Sequence, residues 1–262
     1  MPNLDKAVLN TVVWADLGTP DVDKARAFYG ELLGWSFEGG DPNMAFYTTG
    51  LREGRRVAAM WKKTPELPGP SAWCIYFGTD SADETEKKVK AAGGQTVQAP
   101  MDVMEYGRMA IFSDPTGAIF GVWQPKSHTG SQVIDEPGAM AWHEVYTRDA
   151  KKAGEFYSSV FGLKLQKMDG GGMEYWTMHR ADDAPDTQNA VAGLMQMGPQ
   201  FPQEVPSHWN TYFAVSDTDA SAKKLQQLGG QVRQPPFDTP YGRMSAVVDP
   251  FGAEFCLIEP KD

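Results

Sequence analysis

Apolar positions in the first half of the chain switch between two periods, and each switch marks an element. In VVWADLGT, residues 12–19, they alternate or fall in short runs, the pattern of a strand. The period then changes. Val22, Ala25, Phe28 and Leu32 share one helical face, with Asp21 placed as N-cap and Gly34 just past the C-terminus. Short strands AFYTTG and RVAAMW follow. The cycle restarts with the strand AWCIYFGT and a helix whose Ser81 and Glu84 form a capping box. That helix stops at Gly93–Gly94, and strands are expected near Gln98, over 108–112 and over 119–123. The unit is β-α-β-β-β, written twice.

The second half repeats the first. WADLGTPDVDKARAFYGELLGW from Trp14 returns as WHEVYTRDAKKAGEFYSSVFGL from Trp142, and YGRMAIFSDPTGAIFGVWQPK from Tyr106 returns as YGRMSAVVDPFGAEFCLIEPK from Tyr241. The second copy is longer, mostly in the polar stretch ADDAPDTQNA. The chain reads as a tandem duplication, with domains at 1–125 and 139–262 and a Gly- and Ser-containing linker at 126–138. Each domain is expected to carry two outer helices and two sheets of about four strands.

Composition narrows the function classes. A length of 262 residues leaves room for two ordinary cores. A net charge of −10 argues against a nucleic-acid partner, whose phosphates need the opposite sign. The opening MPNLDKAVLN lacks the apolar core of a signal peptide, and no run approaches a membrane span. Cys74 and Cys256 sit far apart and give no disulfide framework. The expectation is a cytoplasmic monomer or homodimer that handles a small molecule and meets neither nucleic acid nor membrane.

Two motifs carry a family resemblance. A strand leads to an Asp and a helix bearing Phe-Tyr and a terminal Gly: Asp21, Phe28-Tyr29, Gly34, then Asp149, Phe156-Tyr157, Gly162. D-P-x-G precedes the last strand of each half, at Asp114–Gly117 and Asp249–Gly252. With four βαβββ modules, the chain resembles the vicinal oxygen chelate proteins: glyoxalase I, bleomycin-resistance proteins and extradiol dioxygenases. The resemblance covers nearly the whole chain. It implies an α+β fold of two glyoxalase-like domains, with curved mixed sheets, helices outside and a cleft inside. The motif aspartates read first as turn formers, since Pro presets φ and Gly takes a conformation closed to other residues. Arg108 and Arg243 read as ties to loop carboxylates, with anion clamping as the alternative.

Metal-bearing members of the family draw ligands from the first strand of each module and from the last strand of the domain. Carried over, those positions are Trp14, Cys74 and Gly121 in one half, and Trp142, Asn210 and Cys256 in the other. Tryptophan offers no lone pair to a metal and glycine no side chain. The resemblance therefore implies the fold with neither metal nor other cofactor. Period-two alternation puts Asn10, Val12, Asp16, Tyr76, Ile119 and Trp123 beside Trp14 on the inward face. The second half offers Trp142, Glu144, Tyr146, His208, Asn210, Tyr212, Glu254 and Ile258. These are either pocket walls or filler of an old cleft. Asp16 and Glu144, if inward, need a buried partner, water or ligand. Each is a candidate acid or base, or simply bonded to a neighbouring Tyr or Trp. His208 should lie close to Glu144, which makes the second half the better candidate for chemistry. His143 should face the helices, His128 falls in the linker and His179 ends a strand, so none is expected in a site. Two functions stay open: a metal-independent binding protein for an apolar or aromatic molecule, and a lyase, isomerase or dioxygenase of the glyoxalase and dioxygenase type.

Overall fold

A computed structural model describes residues 6–67, 69–168, 173–183 and 189–261. Residues 184–188 of the polar insertion thus lie outside the described residues. The first module is β1 (Val12–Thr19), α1 (Val22–Leu33), β2 (Ser36–Asp41), β3 (Tyr47–Arg52) and β4 (Arg55–Lys62). The second is β5 (Ala72–Gly78), α2 (Ala82–Ala91), β6 (Gln95–Val103), β7 (Gly107–Ser113) and β8 (Ile119–Pro125). The third comprises β9 (Met140–Thr147), α3 (Ala150–Phe161), β10 (Lys164–Met168), β11 (Tyr175–His179) and β12 (Ala190–Gln196). The fourth comprises β13 (His208–Ala214), α4 (Thr218–Gln227), β14 (Gln231–Thr239), β15 (Gly242–Val248) and β16 (Glu254–Pro260). The caps work as their residue types require. Asp21 accepts from the Lys24 amide at 3.1 Å and Ser81 from the Glu84 amide at 3.2 Å, while Gly34 ends α1 at φ 74°.

Strand order in the first half is β2-β3-β4-β1-β5-β8-β7-β6, and the second half repeats it as β10-β11-β12-β9-β13-β16-β15-β14. Consecutive modules therefore pair, through the antiparallel contacts β1–β5 and β9–β13. This corrects the expectation of two four-stranded sheets. The two modules of a half join edge to edge into one eight-stranded sheet, because β1 and β5 present free edges to each other. A bulge between Val12 and Trp14 also breaks the expected alternation. Val12 packs with the helix-side core and Val13 joins Trp14, while Asn10 is exposed in a turn at φ 61°.

The helices cover the faces opposite the clefts, and those faces meet at the centre of the molecule. One core spans both halves: Phe77 stacks on Phe161 at 4.4 Å, and Trp35 meets Phe213 edge-on at 5.6 Å. The repeated motifs are partners across this junction. Tyr29 of α1 donates to Asp249 at 3.1 Å and accepts from Trp73 at 3.2 Å. Tyr157 of α3 donates to Asp114 at 3.0 Å and accepts from Trp209 at 2.9 Å. Each aspartate uses its other oxygen to form its own turn, accepting from the Thr116 and Ala118 amides or from those of Phe251 and Ala253. Arg108 ties Asp83 on α2 to Asp102 on β6, and Arg243 ties Asp219 on α4 to Asp238 on β14. Both arginines are braces between a helix start and a hairpin.

Candidate functional site

Cross-strand pairing assembles the cleft of the second half. In β9–β13, Tyr146 lies opposite His208, Glu144 opposite Asn210 and Trp142 opposite Tyr212. Directly opposed residues share a face, so all six side chains line one surface. Glu144 is its centre, with 8% of its surface exposed. Its Oε1 accepts from Tyr175 at 2.8 Å and from the Trp142 indole at 3.1 Å, and its Oε2 accepts from Tyr212 at 2.9 Å. Burial pushes the Glu144 carboxyl up and these donors pull it back. Tyr146 bonds Tyr212 at 3.1 Å and packs against the His208 ring at 5.2 Å. Asn210 donates to the Cys256 sulfur at 3.2 Å, and burial lifts that thiol to about 12. Gly193 makes room for this arrangement: a Cβ there would lie 2.0 Å from the Tyr175 hydroxyl.

The first half builds a drier version. Asp16 accepts from Tyr76 at 3.0 Å and from the Trp61 indole at 3.2 Å. Burial raises its carboxyl to about 7 against those two donors. Trp14 donates to Tyr47 at 2.9 Å. A Cβ on Gly121 would sit 2.3 Å from the Tyr76 ring, so the tyrosine fills the volume of the family's last-strand ligand. The segment after β8 then folds back over the cleft. The Ser131 amide donates to the Val13 carbonyl, and Trp123 donates to the His128 carbonyl at 2.7 Å. The His128 ring meets Trp14 edge-on at 4.6 Å and Trp123 at 5.5 Å, and burial lowers it to about 4. His128 is thus a cleft residue after all, brought there by the backbone path of the linker. Trp14 is 3% exposed as a result, whereas its counterpart Trp142 stays half-exposed.

Trp14, Asp16, Tyr76 and Trp123 gather in one half and the six named above in the other, whereas Ile119 and Glu254, also expected inward, are exposed at the starts of β8 and β16. One expected contact differs. Tyr212 and Tyr175 hold Glu144, while His208 sits one pair further along and packs at a tilt against Tyr146. Tyr47, Tyr175 and Trp61 complete the clusters from β3, β11 and β4. The aromatic recurring at Tyr47 and Tyr175 is the signal that could have found them. His143 faces the helix side beside Thr211, and His179 is buried against Thr177. Among the described residues no three His, Cys, Asp or Glu side chains are grouped to hold a metal ion. The donor set does not fit the family's metal. A cavity of about 430 Å3 opens elsewhere, between the N-terminal segment, the linker and the starts of β9 and β12. Of the residues expected on the inward faces, only Val12 and Trp142 line it.

The sequence profile of the glyoxalase/bleomycin resistance protein/dioxygenase superfamily matches residues 10–122 and again 135–257. The chain belongs to that superfamily. It is 37% identical to the anthracycline biosynthesis protein DnrV of Streptomyces peucetius, over 95% of this chain and 93% of that one. It is 35% identical to the putative glyoxylase CFP32 of Mycobacterium bovis, over 99% and 98%. Among solved structures it resembles the Mn(II)-bound glyoxalase from Novosphingobium aromaticivorans, with a TM-score of 0.65 at 19% identity over 97% of this chain and 84% of that one. The 2,3-dioxygenase LapB of Pseudomonas sp. KL28 gives a TM-score of 0.63 at 14% identity, over 97% and 94%. At these identities the structures speak to the fold alone. No described helix is long and apolar enough to cross a membrane.

Proposed function

We propose that this superfamily member is a metal-independent binding protein whose C-terminal cleft takes a flat aromatic or apolar molecule. The observation that carries this reading is the fate of the ligand positions. By the family resemblance Trp142, Asn210 and Cys256 occupy the ligand positions, and the buried carboxylate beside them, Glu144, is already engaged by two phenols and an indole. An aromatic wall with a few converging polar groups is the usual make-up of a small-molecule site. The name of DnrV as an anthracycline biosynthesis protein fits a polycyclic ligand of this shape. We place the protein in the cytoplasm, as a monomer or homodimer, in keeping with its two free thiols.

Two measurements test the proposal. Elemental analysis of protein purified without chelator should find no stoichiometric transition metal, and about one Mn, Fe, Ni or Zn per half would overturn it. A dihydroxyanthraquinone should quench tryptophan fluorescence on binding. Trp142→Ala with Glu144→Gln should weaken that binding about a hundredfold, whereas Trp14→Ala with Asp16→Asn should leave most of it. The reverse pattern, in variants folded by circular dichroism, would place the site in the other cleft. The raised proton affinity of Glu144 favours a second reading, a glyoxalase-type lyase or isomerase in which that carboxyl moves a proton. Turnover of a candidate substrate lost in Glu144→Gln, with binding retained, would favour it.

A further inference from the structure

Proton bookkeeping on the C-terminal cleft says what kind of ligand it can hold. Glu144 accepts from the Trp142 N–H and from the Tyr175 and Tyr212 hydroxyls, so all three point their hydrogens at it. With its own hydrogen committed, Tyr212 can only accept from Tyr146, whose hydrogen is then spent too. The His208 Nδ1 lies 2.9 Å from the Pro206 carbonyl. A carbonyl cannot donate, so Nδ1 carries the hydrogen, and the tautomer this selects has its lone pair on Nε2. Asn210 directs one amide hydrogen at Cys256 and bonds the Tyr146 oxygen with its side chain. Its Oδ1 is left as an acceptor.

Every one of these side-chain donors is therefore spent inside the wall, and what the partly exposed Tyr146, His208 and Asn210 have left to offer are lone pairs. From this we infer that the cleft selects an aromatic ligand that donates hydrogen bonds through hydroxyl groups, a phenol or polyphenol, over the same ring system bearing only acceptors. The first half supplies the contrast. Gly18, Ala72 and Cys74 occupy the positions equivalent to Tyr146, His208 and Asn210, so its cleft has no such row of acceptors. The inference rests on the binding reading above and adds the ligand class to it.

The test uses the full chain, with chelator present, and two probes that differ only in donors: a dihydroxynaphthalene and its dimethyl ether. Calorimetry should show the diol binding about tenfold more tightly than the ether. In a Tyr146→Phe, His208→Phe variant, which keeps both rings, the preference should shrink to within about twofold while ether affinity holds. Each single variant should retain part of the preference, which covers the case in which the double variant does not fold. Equal affinity of the two probes for the wild-type chain would overturn the donor requirement and leave the binding reading standing. Failure of both probes to bind would overturn the two together. Diol binding that appears only when a divalent metal replaces the chelator would show that the lone pairs hold a cation, and would also overturn the inference.

Discussion

Gly121 and Asp16 show how single residues set the character of a cleft. The absent side chain at 121 is what lets the Tyr76 ring lie over the carboxylate it bonds. Gly121→Ala should force that ring aside and lower stability by about 1–3 kcal/mol in urea titration; an unchanged midpoint would mean the ring has other room. Asp16 carries a pH signature. Its carboxyl titrates near about 7 in the folded chain against an ordinary 3.8, so the folded state holds this proton more tightly than the unfolded one. The stabilising contribution is present below about pH 4 and lost as pH rises through about 7, a change of roughly 4 kcal/mol. Asp16→Asn should melt close to the wild type near about pH 4 and above it near about pH 8, since only the wild type pays for a buried charge there. Parallel melting curves at both values would contradict this. Both carboxylates were legible as inward residues, because strand period alone puts them beside the tryptophans. Their partners on β4 and β11, Trp61 and Tyr175, were not, since those strands are read from short apolar runs with no face assigned.

At the scale of elements, legibility follows how local the determining physics is. β1, α1, α2 and the turns before β8 and β16 were readable because caps, glycines and apolar period are written within each segment. β2 was not, for SFEGGD is mostly polar and becomes a strand only by pairing with β3. The path of the linker was equally unreadable, because backbone bonds to β1 and β4 decide where His128 goes. The motif aspartates illustrate half-legibility: their turn role is local, whereas their bond to a tyrosine of the opposite half depends on which faces meet. Tyr29→Phe would leave the buried Asp249 oxygen and the Trp73 N–H without their shared partner. It should cost about 2–3 kcal/mol, and Tyr157→Phe a similar amount. Denaturant midpoints within error of the wild type would show that water takes over the bond.

The whole molecule has two sequence repeats and one helix-side core that runs through both. Rings from β5, β8, α1, α3 and β13 interlock across the junction, so neither half closes its own helix-side core. Unfolding should therefore be one transition, coincident by far-ultraviolet circular dichroism and tryptophan fluorescence. Two separated transitions would show that the halves are independent. The crossed tyrosine–aspartate bonds have a consequence for how the two copies could diverge. A change in the turn of one copy is felt by the helix of the other, so both copies keep the same tyrosine and aspartate where these bonds cross. Among the described residues no such bond links one cleft to the other. There the copies differ: Asp16 corresponds to Glu144, Gly18 to Tyr146 and Gly121 to Cys256. The repeat keeps its tyrosine and aspartate where the halves bond each other, and these three cleft positions have changed where each half meets the outside world.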